Sequence, residues 1–222
     1  QSSYSVVFAG TCILGQEAVC ERVGIVVSGT AKVVYSNAKG HQHILQLLNP
    51  GQLVGDPLGS RSLVSWEAAT DLVLCWIPVE KLEDLTASHP GLYPGFLKAV
   101  QKQRELLQLW NAKLRGRSTR QRLAYWLITQ AYRERSDFRP AVKITLSRRD
   151  LASYLNMSSE ALCRALQQLH EGKAIAKVAP DQVVIRDLDK LQAFASCVED
   201  QAMRTLSRSL RATELTEAPQ AS

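Results

Sequence analysis

The hydrophobic pattern of the chain changes at Pro78, and this change constrains the fold more than any other feature of the sequence. Before Pro78, short runs rich in β-branched residues are separated by turn signals at intervals of about ten residues, as in antiparallel sandwiches and barrels. The clearest runs cover residues 24–27, 31–35, 43–48 and 71–77. After Pro78, apolar residues recur every three or four positions, which indicates helices. The sequence therefore predicts an α+β protein with an N-terminal antiparallel β domain.

Length and composition exclude several classes of protein. With 222 residues, 45% of them hydrophobic and 22% charged, the chain can bury a sizeable core and has room for two domains. Its five cysteines lack Cys-x-x-Cys spacing, so neither a disulfide framework nor a zinc knuckle is encoded. The sequence has no apolar run of the roughly 18 residues that a membrane span needs, and its first residues lack the basic start of a signal peptide. We therefore expect a cytoplasmic protein with no membrane partner.

Three helices are predicted between the β domain and residue 132. The apolar spacing places a short helix at 79–85, a long amphipathic one at 93–114 and another at 119–132. The long helix spans about 33 Å and outruns the β domain before it, so we expect it to pair with its copy in a homodimer. The alternative is a helix that packs wholly on its own β domain. The residues predicted to face the partner are Phe96, Leu97, Val100, Leu107 and Trp110.

The basic charge of the chain is concentrated in one stretch. The formal net charge is +6, yet residues 101–150 carry thirteen Lys and Arg against four Asp and Glu, and residues 1–100 carry six against eight. Such a block is often only a solvated helix face. It is also what a phosphate-binding surface requires, and the neighbouring residues decide between these two interpretations.

Residues 144–172 carry the pattern of a helix-turn-helix. Ser147, followed three positions later by Asp150, resembles a capping box at the start of a first helix. Asn156 stands where a tight turn needs a left-handed backbone, and Ser158 is predicted to cap a second helix at 159–171. Two short helices joined by such a turn are typical of DNA-binding proteins.

The second helix of this motif is suited to reading bases. Glu160 and Arg164 lie four positions apart on its polar face, where a carboxylate accepts from cytosine and a guanidinium donates to guanine. The alternative is a surface salt bridge of little energetic value. The predicted base-reading residues are Ser159, Glu160, Cys163 and Arg164. The predicted phosphate contacts, at the helix starts, are Ser147, Arg148, Arg149 and Ser158. A predicted hairpin over 174–185 adds a wing.

With both halves in view, the chain resembles the bacterial transcription regulators of the cyclic-AMP receptor protein and fumarate-nitrate reduction regulator (Crp/Fnr) family. The resemblance covers roughly residues 4–195 and is carried by residues 27–30 and 50–56 of the β domain and 151–164 of the helix-turn-helix. It implies a homodimer that binds a palindromic site on double-stranded DNA, with RNA polymerase as a further partner. It also implies the following division: a jelly-roll sensor at 1–90, a dimerisation helix and hinge at 91–116, a winged helix-turn-helix at 117–195 and a C-terminal extension at 196–222.

Departures from the family pattern bear on specificity. Arg61-Ser62 has the letters of the family's cyclic-phosphate cassette but lies too early in the alignment, so cyclic AMP is not expected to bind. Glu160 and Arg164 match the family's paired readers of a G·A step. Ser159 stands where cyclic-AMP-type members carry an Arg, so the resemblance implies a TTGA-like half-site, as in the oxygen-sensing Fnr-like branch. Cys163 replaces a Ser of that branch, which leaves the outer base open.

Three hypotheses concern the signal, and the effector or cofactor stays unknown. Cys75 falls where the oxygen-sensing branch keeps an iron–sulfur ligand, whose partner cysteines would precede the present first residue; the alternative is a buried thiol. His41 and His43 alternate as on one face of a strand and are a candidate pair for a metal or haem, or merely hairpin surface. Cys12 and Cys20 are a candidate redox pair.

The sequence favours a regulator over an enzyme. Paired carboxylates, a Ser/His/Asp set and a glycine-rich phosphate loop are all missing from it. The alternative function is a ligand-binding β module that gates a partner protein, and the helix-turn-helix pattern argues against it.

Overall fold

A computed structural model describes residues 3–133, 141–179 and 181–195. The chain divides into two compact units. The first takes the described residues up to Lys113 together with Arg149–Asn156, and the second takes those from Leu114 to Arg148 and from Met157 onward. Cys197 and the C-terminal extension at 196–222 lie outside the described residues.

Two four-stranded antiparallel sheets form the first unit, with strand orders β1-β8-β3-β6 and β2-β7-β4-β5. The strands are β1 (Ser3–Val7), β2 (Cys12–Leu14), β3 (Arg22–Ser28), β4 (Ala31–Ser36), β5 (Gln42–Leu48), β6 (Leu53–Val54), β7 (Ser65–Ala68) and β8 (Leu72–Pro78). Their inward side chains make one core, in which Val26, Ala31, Leu48, Val54, Leu72 and Leu74 are at most 1% exposed. The β prediction up to Pro78 is confirmed, and the four shortest strands are additions to it.

Helices follow β8, the last strand of the β domain, as the change of period predicts. α1 (Val79–Ser88) contacts β8, and α2 (Leu92–Leu114) is 23 residues long with no buried residue. One side chain ties α2 to the β domain: Gln103 Oε1 accepts from the Leu53 N–H at 2.9 Å, and Gln103 Nε2 donates to the Leu53 carbonyl at 3.1 Å. Because β6 is an edge strand, this amide takes the place of a missing neighbouring strand.

The second unit contains α3 (Thr119–Arg133), β9 (Ala141–Lys143), α5 (Ser159–Glu171), β10 (Ile175–Ala179), β11 (Gln182–Ile185) and α6 (Leu188–Ala195). The strands form one sheet of order β10-β11-β9, and α3 packs against both α5 and α6. The hairpin predicted over 174–185 is present, although Pro180 in its turn lies outside the described residues. β9 and α6 were not predicted. Along the chain, one division between the two units falls after Arg148, the first residue of α4 (Arg148–Tyr154).

Within the part of the chain that the structure describes, no helix is both long enough and apolar enough to cross a bilayer.

The turn between β3 and β4 provides a test of this architecture. Gly29 has φ +81°, and a Cβ at this position would lie 2.2 Å from the Asp71 carbonyl oxygen. Gly40 has a similar φ of +75° but open space around it. We expect Gly29→Ala to lower the free energy of unfolding by about 3 kcal/mol or more, because backbone strain and a clash add. Gly40→Ala should cost about 1 kcal/mol from strain alone. Urea unfolding measures both, and equal losses would contradict the close approach at Gly29.

Candidate DNA-binding surface

The helix α5 has one buried face and one exposed face. Leu162, Ala165, Leu166 and Leu169 are each at most 3% exposed, which turns the opposite side of the helix to solvent. The helix begins where the sequence predicts, because the Ser158 Oγ accepts a hydrogen bond from the Ala161 N–H at 3.2 Å. The polar face of α5 is therefore set by the burial of its leucines.

All four predicted base-reading residues, Ser159, Glu160, Cys163 and Arg164, lie on the exposed face of α5. Gln167 lies there too, but its side chain is occupied. Gln167 Nε2 donates to Glu171 at 2.8 Å, and Gln167 Oε1 accepts from Lys177 Nζ on β10 at 3.2 Å. The structure thus places the predicted residues on one accessible surface and does not test their contacts with bases.

The carboxyl group of Glu160 is held in its charged form. A hydrogen bond from the Ser158 hydroxyl is the largest cause that lowers the pKa of Glu160, and its own backbone N–H and the Arg164 guanidinium act in the same direction. An ionised carboxylate is a hydrogen-bond acceptor only. Glu160 is therefore prepared to accept from a base amino group.

The helix α4 presents the predicted phosphate contacts at its start. Ser147 and Arg149 are exposed, and Arg148 is half-buried. The helix is followed by Asn156, whose φ of +51° confirms the predicted left-handed turn residue. The Asp150 carboxylate, which the sequence suggested as part of a capping box, accepts two hydrogen bonds from Lys32 Nζ, at 3.0 and 3.1 Å.

Two more contacts hold α4 within the first unit. The Ile44 N–H of β5 donates to Ser153 Oγ at 3.1 Å. The rings of Trp110 and Tyr154 are stacked, with centroids 4.6 Å apart and planes 5° from parallel. One of the predicted dimer residues, Trp110, thus has its ring against α4.

The other predicted dimer residues divide into two groups. Leu97 and Val100 are exposed, at 54% and 37%, whereas Phe96 and Leu107 are half-buried. Tyr93, one turn before Leu97, is 60% exposed. α2 therefore carries an apolar strip that the first unit leaves open to solvent.

The weak metal candidates do not form a cluster. Cys75 is half-buried on β8, opposite Tyr4 and Ile25. His43 is exposed on β5, whereas His41 precedes that strand. The His41 N–H donates to Asn37 Oδ1 and its carbonyl accepts from the Asn37 N–H, both at 3.0 Å. Among the described residues, three or more His, Cys, Asp or Glu side chains are nowhere grouped so that they could hold a metal ion. An iron–sulfur cluster needs four ligands, so the described residues alone do not supply its site.

The residues that resemble a cyclic-nucleotide cassette are engaged with the protein itself. Arg61 Nη1 donates to the Glu17 carbonyl at 3.0 Å, and Ser62 is 4% exposed. A cavity of about 110 Å³ lies beside Gly55, lined in part by Arg22 and Trp76. This volume is below the roughly 300 Å³ at which ligand pockets begin.

The candidate redox pair consists of two unlike thiols. Cys12 is exposed on β2, and partial desolvation, with the nearby Glu67 carboxylate, raises its pKa. A thiol with a raised pKa forms less of the reactive thiolate. Cys20 is buried, and its Sγ donates to the Arg22 carbonyl at 3.2 Å and accepts from the Asp56 N–H at 3.1 Å. Cys20 therefore serves as a polar link within the β domain.

Some contacts at the helix starts could be predicted from the spacing of residues in the sequence, and others could not. Ser118 and Gln121 form a capping box at the start of α3, because the Gln121 N–H donates to Ser118 Oγ at 3.3 Å and the Ser118 N–H donates to Gln121 Oε1 at 2.7 Å. The Ser-x-x-Gln spacing in the sequence indicates this capping box. By contrast, Lys32 and Asp150 are 118 positions apart, and no local pattern joins them.

A β domain, a long helix and a winged helix-turn-helix with an exposed polar recognition face together define a DNA-binding regulator. Residues 6–89 match the cyclic nucleotide-binding domain, and residues 121–194 match the Crp-like helix-turn-helix domain. The chain belongs to the Crp/Fnr family, whose members are transcription regulators and not enzymes.

Known proteins support this assignment. The chain is 28% identical over 193 residues to the nitrogen fixation regulation protein FixK of Azorhizobium caulinodans, covering 83% of this chain and 75% of that protein. It is 24% identical over 191 residues to the transcriptional activator protein FnrL of Cereibacter sphaeroides, covering 82% and 76%. The structure of FixK2 from Bradyrhizobium japonicum matches with a TM-score of 0.78 at 21% identity, over 87% of this chain and 97% of that one. The predicted fold class is thereby confirmed.

The cap of α5 yields a prediction about pKa and stability. In Ser158→Ala the pKa of Glu160 should rise toward its ordinary value, because its largest lowering cause is removed. The lost cap should also lower the free energy of unfolding by about 1 kcal/mol. The stabilisation that comes from the lowered pKa is present above the unfolded-state pKa and is lost as the pH falls through the folded value. NMR titration of the Glu160 side chain and urea unfolding measure the two effects.

Two neighbouring variants serve as controls for this test. Ser158→Thr keeps a hydroxyl at the cap, and Ser159→Ala removes one that is not the cap, so both should leave the pKa of Glu160 low. A Ser158→Ala chain with an unchanged Glu160 titration would show that the hydroxyl does not set this pKa.

Proposed function

We propose that this chain is a homodimeric regulator that reads a palindromic, TTGA-like promoter site and responds to a signal other than cyclic AMP. The observation that carries the proposal is the exposed face of α5, where an ionised Glu160 and Arg164 stand one turn apart beside Ser159 and Cys163. The β domain at 1–90 would act as the sensor, 91–116 as the dimerisation helix and hinge, and 117–195 as the reading domain. Double-stranded DNA and RNA polymerase would be its partners.

The chemistry of the two charged side chains fits adjacent base pairs. A guanidinium donates two hydrogen bonds to the acceptor edge of guanine, and a carboxylate accepts from the amino group of cytosine. Ser159 carries a hydroxyl and no guanidinium, so it does not add a second bidentate contact to guanine, which agrees with a half-site that has one guanine. Ser147, Arg148, Arg149 and Ser158 lie at the two helix starts, where hydroxyls, guanidinium groups and backbone N–H groups can hold phosphates.

A palindromic site requires two-fold symmetry in the protein, and α2 is the element suited to supply it. Its strip of Tyr93, Leu97 and Val100 is apolar and exposed, a surface that a second copy of the helix would cover. The half-buried Phe96 and Leu107 would extend the contact.

The signal is inferred from the β domain. Arg61, the side chain that resembles a cyclic-phosphate ligand, lies too early in the alignment and donates to the Glu17 carbonyl, which supports an effector other than cyclic AMP. A redox, gas or metal signal is in keeping with the resemblance to the oxygen-sensing branch. The described residues do not identify its chemistry.

Base reading and phosphate binding should be separable by mutation. Arg164→Ala should cost about 1–3 kcal/mol of binding free energy per half-site on a symmetric TTGA duplex, and it should relax the preference at the guanine. Arg149→Ala should weaken binding to every sequence alike and reduce the slope of affinity against salt concentration by about 1 per half-site. Fluorescence anisotropy on the TTGA duplex and on a scrambled duplex, at several salt concentrations, measures both.

Lys81→Ala is the charge-matched control for these variants. Lys81 is exposed on α1 and outside the candidate surface, so its loss should change neither specificity nor the salt slope appreciably. Arg149→Ala should lose the same affinity on both duplexes. If Arg164→Ala also lost as much affinity on the scrambled duplex as on the TTGA duplex, the assignment of Arg164 to base reading would be wrong.

The dimer helix gives a prediction about assembly. Leu97→Glu places a charge in the exposed apolar strip of α2 and should convert a dimer into a monomer at micromolar concentration, because a buried unpaired charge is costly. Sedimentation velocity measures the change. Lys98→Glu alters the charge more but lies a third of a turn away, outside the strip, and should leave the dimer intact. A Leu97→Glu chain that remains dimeric would place the interface elsewhere.

A further inference from the structure

Lys32 lies between two carboxylates from different parts of the chain. Its Nζ is 3.0 Å from Asp150 Oδ1 in α4 and 3.4 Å from Glu67 Oε2 in β7. The side chains are only 12%, 20% and 19% exposed, for Lys32, Asp150 and Glu67 in that order. This lysine is therefore withdrawn from most of the solvent and shared by two acidic partners.

The charge balance of this cluster makes the lysine hard to replace. Two carboxylates and one ammonium leave one net negative charge in a partly shielded place. Without the ammonium, Glu67 and Asp150 would face each other with like charges and little water between them. Removal of the ammonium from this shielded ion cluster costs more than the loss of an exposed salt bridge, because the two carboxylates then repel each other without the Lys32 ammonium between them.

The position of Asp150 gives this contact a consequence for DNA. Asp150 lies in the first turn of α4, next to Arg148 and Arg149, at the end of the helix that we assign to phosphates. A carboxylate at this end would repel a phosphate group. The two hydrogen bonds from Lys32 offset part of its charge and so favour phosphate contacts by the neighbouring arginines.

The same helix is held at two further points. Ser153 Oγ accepts the Ile44 N–H of β5, an edge strand whose outer backbone groups need partners. One residue later, Tyr154 stacks on Trp110 of α2. Lys32, Ile44 and Trp110 thus connect α4 to β4, β5 and the proposed dimer helix.

We propose that Lys32, a residue of the sensor domain, is a positioning residue for DNA binding: it acts through Asp150 to hold α4 and to reduce the negative charge at the phosphate-facing end of that helix. This inference rests on the proposed function and adds to it a residue that does not belong to the helix-turn-helix. Because the contact concerns phosphates, its effect is independent of base sequence.

The test compares single and double variants of the full chain. Binding is measured by fluorescence anisotropy on the TTGA duplex and on the scrambled duplex, and thermal unfolding shows which variants remain folded. Lys32→Ala should weaken binding to both duplexes by about tenfold, whereas Lys32→Arg, which keeps the charge, should stay within about threefold of wild type. In an Asp150→Asn background, Lys32→Ala should have a much smaller further effect, because the α4 carboxylate through which Lys32 acts is gone.

Lys39→Ala is the matched control, since Lys39 is an exposed lysine in the turn that follows β4 and its loss should leave affinity unchanged. The inference is overturned if Lys32→Ala binds like wild type, or if its loss is equally large with and without Asp150. If the wild-type chain binds both duplexes equally, only the proposed sequence specificity is wrong. The affinities of the Lys32 variants can then be compared with wild type on either duplex. A wild-type chain that binds neither duplex overturns the proposed function and this inference together.

Discussion

The burial of the leucine face of α5 is the interaction on which the rest of the candidate surface depends. Leu162, Leu166 and Leu169 are almost fully buried in the second unit, where α5 packs against α3 and β10. Burying one such side chain stabilises the fold by about 1.5–3 kcal/mol, far more than an exposed Glu–Arg pair contributes. The leucines therefore set the rotation of the helix, and the polar residues are displayed as a result.

The basic charge of the chain lies mainly in its middle part and not in the β domain. The +6 net charge comes from residues 101–150, while the first hundred residues are slightly acidic. One lysine of the acidic part, Lys32, is nevertheless withdrawn from solvent and directed at α4. A lysine of the β domain thus forms an ion pair with the first helix of the helix-turn-helix.

Much of the fold was predictable because its signals are local. The change of period at Pro78, the Asn156 turn and the Ser158 cap each depend on residues within one or two turns of the chain, and the structure has all three. The short strands β1, β2, β6, β7 and β9 were not predicted as elements, since two to five residues are too few to show a period. His41 was expected on the same strand as His43, but β5 begins one residue too late to include it.

The sequence by itself determined the class of protein, the order of its β domain, long helix and helix-turn-helix, and the face of α5 that carries Glu160 and Arg164, because helical spacing and caps are properties of neighbouring residues. Only the tertiary structure decided which side chains those elements meet. It paired Lys32 with Asp150, Gln103 with the edge of β6, and Trp110 with Tyr154, and it engaged Arg61 with the Glu17 carbonyl. These contacts join residues far apart in the chain, and they form only when burial of the apolar faces has brought the elements together.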